Sequence, residues 1–188
     1  MRQAILDAIR LWNQGKGKYL LSKATHFYLQ LHQPIFPKGK PIHVYPGIFI
    51  DDTGEETLKF IVLSEIYDNN KWLQNVQVVD VFTDLETNPI HDRYPIPSSI
   101  VQEIKTDEAL QRIENWKMKK DSWIQNSNFI YAFYIPTLGL NNMATYQTIF
   151  ALKDGEIDLV MTSNSETYYS HIRLIKQHTT PNFFLLNL

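Results

Sequence analysis

Two hairpin signals, one in each half of the chain, constrain the fold more tightly than anything else in this sequence. The β-rich runs Ile42–Ile50 and Thr57–Tyr67 are separated by Asp51-Asp52-Thr53-Gly54-Glu55-Glu56, a polar, glycine-containing break that turns one strand into the next. In the second half, Thr145–Leu152 and Glu156–Ser163 flank Lys153-Asp154-Gly155, and Asp-Gly favours the tight turns whose twist matches a hairpin. A third run, Trp72–Thr83, extends the first hairpin into a meander, with Pro46-Gly47 expected to bend its first arm. Phe129–Ile135 alternates ahead of the second hairpin. Thr25–His32 sets Phe27, Leu29 and Leu31 against His26, Tyr28, Gln30 and His32, the alternation of a half-buried strand. These runs predict an α+β fold whose largely antiparallel sheet has about six to eight strands in two β-meander halves.

Two helices are expected against that sheet. Ile5, Ala8, Ile9 and Trp12 fall on one stripe within Ala4–Gln14, and Gly15 follows as a C-cap. The segment from Lys18 either extends that helix or leads into the strand. Thr106-Asp107-Glu108 supplies the cap and acidic first turn of a longer central helix reaching about Gln125. Its Ala109, Leu110, Ile113, Trp116, Trp123 and Ile124 share one side, with Lys120 projecting from within the stripe. Ile100–Lys105 reads as a capped helical turn, and Tyr168–Gln177 is open between strand and helix. The tail Phe183-Phe184-Leu185-Leu186 is expected to dock on the body. A chain of 188 residues reads as a single domain, with a possible lobe junction near 84–105 where Pro89, Pro95 and Pro97 punctuate the longest irregular stretch.

The absence of cysteine removes thiol nucleophiles, thiolate zinc sites, iron–sulfur clusters and disulfide switches together. Eighteen basic against twenty acidic side chains leave a formal charge of −2, which offers no bulk attraction to nucleic acid or to anionic lipid. Asp7 and Arg10 interrupt the apolar positions of the first dozen residues, so no signal peptide is read there and a cytoplasmic location is expected. No apolar run approaches the roughly 20 residues a spanning helix needs, and no membrane partner is expected.

The short motifs mostly yield to plain explanations. Gly15-Lys16-Gly17-Lys18 follows a helix and lacks the Ser or Thr of a phosphate loop, so helix termination accounts for it. His26 with His32, and His171 with His178, are spaced too far to share an ion as neighbours; no metal site is assigned, although His43 with His91 and Asp92 remains a conceivable assembly. Glu103-Ile104-Lys105 resembles half of a metal-dependent nuclease site, with Asp80, Asp84 or Asp92 as the second carboxylate, provided Glu103 and Lys105 share a strand face. There is no G-x-S-x-G elbow, and the acidic groups at 51–56 and 154–158 lack calcium-loop spacing. Lys117, Lys119 and Lys120 lie near Trp116 and Trp123, but those tryptophans share the apolar stripe, and no nucleic-acid partner is expected.

With no catalytic spacing and no cofactor motif, the expected function is that of a non-catalytic binding protein acting through protein–protein contact, as an adaptor, inhibitor, immunity-like or accessory factor would. The surplus of Tyr and Trp supports this, since Tyr28, Tyr45, Tyr94, Tyr168 and Tyr169 stand at alternating or loop positions where rigid amphipathic rings suit interfaces. The alternative is a small-molecule cup, or an unfamiliar enzyme, in which the loop His91-Asp92-Arg93-Tyr94 faces His43 and Tyr45. The nuclease is the third reading.

Overall fold

The computed structural model describes residues 2–31, 34–68, 75–83, 103–126, 130–141, 143–163, 167–170 and 173–175. Helix α1 (Arg2–Asn13) and a separate short helix α2 (Lys18–Lys23) precede strand β1 (His26–Gln30). The first meander is β2 (Ile42–Ile50), β3 (Glu56–Ser64), a single 3-10 turn at Glu65–Tyr67, and β4 (Gln77–Phe82). Then come β5 (Glu103–Ile104), helix α3 (Thr106–Asn126), β6 (Ala132–Ile135), β7 (Thr145–Lys153), β8 (Glu156–Thr162), β9 (Tyr168–Tyr169) and β10 (Arg173–Ile175). The ten strands form one sheet in the order β10-β6-β2-β3-β4-β1-β7-β8-β9-β5, antiparallel throughout. The two meanders, β2-β3-β4 and β7-β8-β9, are joined by β1, which pairs with β4 on one side and β7 on the other. The edge strand β10 returns against β8, so the sheet curls into a half-barrel.

The α+β class and the antiparallel meanders agree with the sequence reading, and the strand count exceeds it. The excess lies in short strands: β5 and β9 have two residues each and pair with one another. Glu103 and Ile104 are therefore extended, which corrects the helical turn expected for the end of Ile100–Lys105. The expected bend at Pro46-Gly47 is also absent, because β2 and β3 stay in register through Pro46↔Phe60 and Gly47↔Lys59. On its other side β2 pairs with β6 only at Ile42–Val44, so the proline lies beyond the reach of that ladder. Gly15 and Gly17 turn the chain between α1 and α2 with φ of 77° and 75°. At Gly17 a Cβ would come 2.4 Å from Ile48 Cδ1, so the close approach of this turn to β2 admits hydrogen alone.

Alternation along the strands sorts the core into two sides. The inner side holds Phe27, Phe60, Phe133 and Phe150, whose rings interlock with centroids 4.7 Å apart for Phe27 and Phe60 and 5.9 Å for Phe60 and Phe150. Each such ring contributes roughly 1.5–3 kcal/mol by leaving water, which makes this cluster the main source of stability. On the outer side, α1 lays Ile5, Leu6 and Ile9 over Tyr45, Ile61, Leu63 and Ala132. Helix α3 lays Ala109 and Ile113 over Ile149, Ala151 and Val160. Farther along α3, Trp116 stacks on Phe150 and donates its indole N–H to the Ala24 carbonyl. Trp123 donates to the Gly155 carbonyl at the β7–β8 turn. Both tryptophans are thus committed to packing. Tyr45, Tyr168 and Tyr169 are buried as well and Tyr28 is half-buried, so most of the described tyrosines expected at alternating positions fill the interior rather than the surface.

Candidate functional site

His43 and Tyr45, two residues apart on β2, point to the same outer face, and the structure brings a third group to them. Asp68, which follows the 3-10 turn after β3, places its Oδ2 2.6 Å from His43 Nδ1. The Tyr45 hydroxyl donates to that same oxygen. The side chains of His43 and Asp68 have no exposed surface, and Tyr45 has none either. The Tyr134 ring packs 5.8 Å from His43 on the side toward β6. Asp68 Oδ1 is buried with no hydrogen-bond partner among the described residues. A carboxylate on Nδ1 fixes the imidazole tautomer and would suit acid–base chemistry at the other ring nitrogen. The cluster nevertheless sits on the face that α1 covers, sealed from solvent, and its evident effect is to tie the chain after β3 to β2.

His91, Asp92, Arg93 and Tyr94, the other half of the expected cup, lie outside the described residues, as do Asp84, His32, His171, His178 and the tail. Among the described residues no group of three or more His, Asp or Glu side chains is disposed to hold a metal ion. Glu103 is on β5 and Lys105 between β5 and α3, both exposed, while Asp80 on β4 is separated from β5 by four intervening strands, roughly 24 Å along the sheet. Asp80 therefore does not complete a nuclease site with them. No helix of the described residues is long and apolar enough to cross a membrane.

A second buried polar cluster escaped the sequence reading. Arg112 of α3 donates from Nη1 to Asp158 Oδ2 at 2.8 Å and to Ser170 Oγ at 2.9 Å, and from Nη2 to Glu108. Ser170 Oγ in turn donates to Asp158 Oδ2 at 2.8 Å, and the Leu159 amide donates to Asp158 Oδ1 at 2.9 Å. Every oxygen of Asp158 is satisfied, so the cluster is closed to a ligand and works as a clamp between α3, β8 and the residue after β9. The available signal was Arg112 itself, which lies three residues after Ala109 and four before Trp116, inside the apolar stripe.

Between the two helices, the outer face of β4 is exposed as a strip. Cross-strand partners share a face: Ile61 with Val78, Lys59 with Asp80, His26 with Phe82, and His26 again with Ile149. Ile61 lies beneath α1 and Ile149 beneath α3; of the residues between them Val78, Asp80 and Phe82 on β4 are exposed, whereas His26 on β1 is buried and Tyr28 half-buried. Val78 and Phe82 are 40% and 43% exposed. The Phe82 ring stacks on His26 at 5.0 Å, and Tyr28 meets both rings edge-on at 5.4 Å and 5.1 Å. Between Val78 and Phe82, Asp80 forms an ion pair with Lys59 at 2.7 Å.

No family model, curated protein or solved structure matches this chain. The geometry of the strip and of the two closed clusters is thus the whole basis for a functional reading.

Proposed function

We propose that this chain is a non-catalytic binding protein that works by contact with another protein through the outer face of β4. The observation that carries this reading is the strip itself: apolar and aromatic side chains exposed between two helices, with one ion pair at their centre. Such a mixture of ring surface and a few polar groups suits a protein interface, in which aromatic anchors do most of the holding. The two buried clusters support the reading indirectly, because both bind elements of the fold to one another and neither presents an open group to a substrate.

A photo-reactive residue introduced at Val78, with Met118 on the exposed face of α3 as the control position, tests it. A discrete adduct from position 78 and none from position 118, with the captured protein binding the purified chain and Phe82→Asp weakening that binding about tenfold or more, is the expected result. Equal labelling from both positions, or binding indifferent to Phe82→Asp, overturns it.

A further inference from the structure

We infer that the end of the sheet formed by the loops before β2 and after β6 docks on an anionic lipid surface. The inference goes beyond the protein contact above and leaves the face of β4 free. The overall charge of −2 supplies no such attraction, but the fold sorts the charges along the strands. Strand pairing sets the β2–β3 and β7–β8 turns at one end of the sheet, where Asp51, Asp52, Glu55, Asp154 and Glu156 are exposed and Lys16, Lys23 and Lys153 offset them in part. At the opposite end, segments 31–41 and 136–144 carry Lys38 and Lys40 and no Asp or Glu, and both lysines are exposed. Glu65, whose amide donates to the Pro41 carbonyl, adds one half-buried carboxylate at their base, while Asp68 is sealed with His43. Two apolar side chains of the second segment stand in water, Leu138 at 50% and Met143 at 67% exposure. Leu138 lies over Gly39, between Lys38 and Lys40, for a Cβ on that glycine would come 3.3 Å from Leu138 Cδ1. Hydrogen bonds hold these tips in place: Thr137 Oγ1 donates to the Lys40 carbonyl at 2.7 Å, the Leu140 amide to the Thr137 carbonyl at 2.9 Å, and the Met143 amide to Asn141 Oδ1 at 2.9 Å. Beneath them Leu31, Phe36 and Leu140 are buried, so the tips rest on a packed base and little ordering remains to be done on docking. Apolar tips beside cations match an anionic bilayer, in which side chains enter the headgroup–acyl boundary and ammonium groups meet lipid phosphates. A protein would have to supply a pocket for each tip, whereas a fluid lipid surface needs none. The carboxylates at the far end orient the chain the same way, since they are repelled by the surface that the lysines approach.

A single introduced cysteine carrying an environment-sensitive dye tests it, because the chain has no cysteine of its own to take the label. Vesicles of phosphatidylcholine with about 30% phosphatidylserine, at about 1 mM lipid in low salt, are expected to shift the emission of a dye at Leu138→Cys or Met143→Cys to the blue. A dye at Ile50→Cys, exposed at the opposite end of the sheet, should not respond. Pure phosphatidylcholine should give a much smaller shift, and about 0.5 M salt should remove most of the response by screening. Lys38→Glu with Lys40→Glu is expected to lower the partition at least about 25-fold, about fivefold for each cation lost, with an unchanged circular dichroism spectrum. No shift at position 138 on the anionic vesicles, an equal shift at position 50, or a partition indifferent to the two charge reversals overturns the inference. A shift with soluble polyglutamate and none with vesicles overturns it as well, and assigns this end to an acidic protein instead.

Discussion

Arg112→Met is the sharpest perturbation the structure offers. The Arg112 and Asp158 side chains are each 7% exposed, and the guanidinium is the only cation bonded to that carboxylate among the described contacts. Methionine keeps the length and apolar body of the side chain and removes the charge. Asp158 then stays buried with two of its hydrogen bonds, from Ser170 Oγ and the Leu159 amide, and without a counterion. Breaking one side of a buried pair costs about 3–5 kcal/mol, and the two surviving bonds put the expected loss near the lower end, about 3 kcal/mol. For a chain of this length that corresponds to a fall in melting temperature of roughly 6–12 °C. Urea unfolding followed by tryptophan fluorescence measures it directly, since Trp116 and Trp123 sit on the same helix. Removing both charges, as Arg112→Met with Asp158→Leu, is expected to recover most of the loss, because no uncompensated carboxylate remains. A single variant that costs less than about 1 kcal/mol at unchanged m-value, or a double variant as unstable as Arg112→Met alone, would refute the assignment of the clamp.

Three further outcomes follow from the same contacts. Tyr45→Phe removes a buried donor to Asp68 and is expected to lower stability by about 1–2 kcal/mol; a neutral result in urea unfolding removes that bond from the account. Gly17→Ala meets both a left-handed backbone and Ile48 Cδ1 at 2.4 Å, so it should cost more than Gly15→Ala, where a Cβ meets nothing within 4 Å, by about 1 kcal/mol or more; equal midpoints would contradict the close approach. Burial holds the Tyr168 and Tyr169 hydroxyls above the ordinary tyrosine range, with the Glu103 carboxylate adding to the shift at Tyr169. A folded pKa raised above the unfolded one favours the neutral phenol, so this contribution to stability is complete below the unfolded value, near 10, and is lost as the pH rises through the folded values. Ultraviolet titration should therefore show Tyr168 and Tyr169 among the tyrosines that ionise late and, in step with them, a decline in alkaline stability that Tyr168→Phe reduces.

How much of this was legible in the sequence depended on whether the signal was local. Both hairpins were, because Asp-Gly and the acidic glycine turn declare themselves within a few residues, and β2 spans the same Ile42–Ile50 as expected. Helix α3 begins at Thr106 for the same reason, its cap and acidic first turn being adjacent. The position of β1 was not, since its place between β4 and β7 is decided by partners 54 or more residues away. The two-residue strands β5 and β9 are strands only because they meet each other. In the site, His43 and Tyr45 shared a face by simple alternation, whereas Asp68 reaches them only because β3 returns beside β2 and ends at the 3-10 turn. Of the two cations within the α3 stripe, Lys120 stands out by spacing but is only half-buried, whereas Arg112 is enclosed by contacts with β8 and the residue after β9 that no local spacing declares.

The placement of the two polar clusters suggests what they contribute beyond stability. The inner side of the sheet is filled by large apolar rings whose shapes alone set their packing, and the principal buried charged groups lie on the outer side, beneath one helix each. A helix resting on a sheet through Ile, Leu and Ala side chains could slide by a turn at little cost, because such contacts are non-directional. Arg112 restricts that freedom for α3: its planar fork meets Asp158 and Ser170, which lie off the helix, only in one register. The double variant Arg112→Met with Asp158→Leu therefore separates two quantities that usually move together. Its unfolding free energy should remain close to that of the unaltered chain, while amide exchange in α3 speeds up as the helix samples neighbouring registers. Exchange in α1, whose sheet face carries the untouched His43–Asp68 cluster, should not change. If α3 exchanges as slowly as before, apolar packing together with the indole hydrogen bonds of Trp116 to Ala24 and Trp123 to Gly155 fixes the helix, and the clamp is no more than a satisfied ion pair.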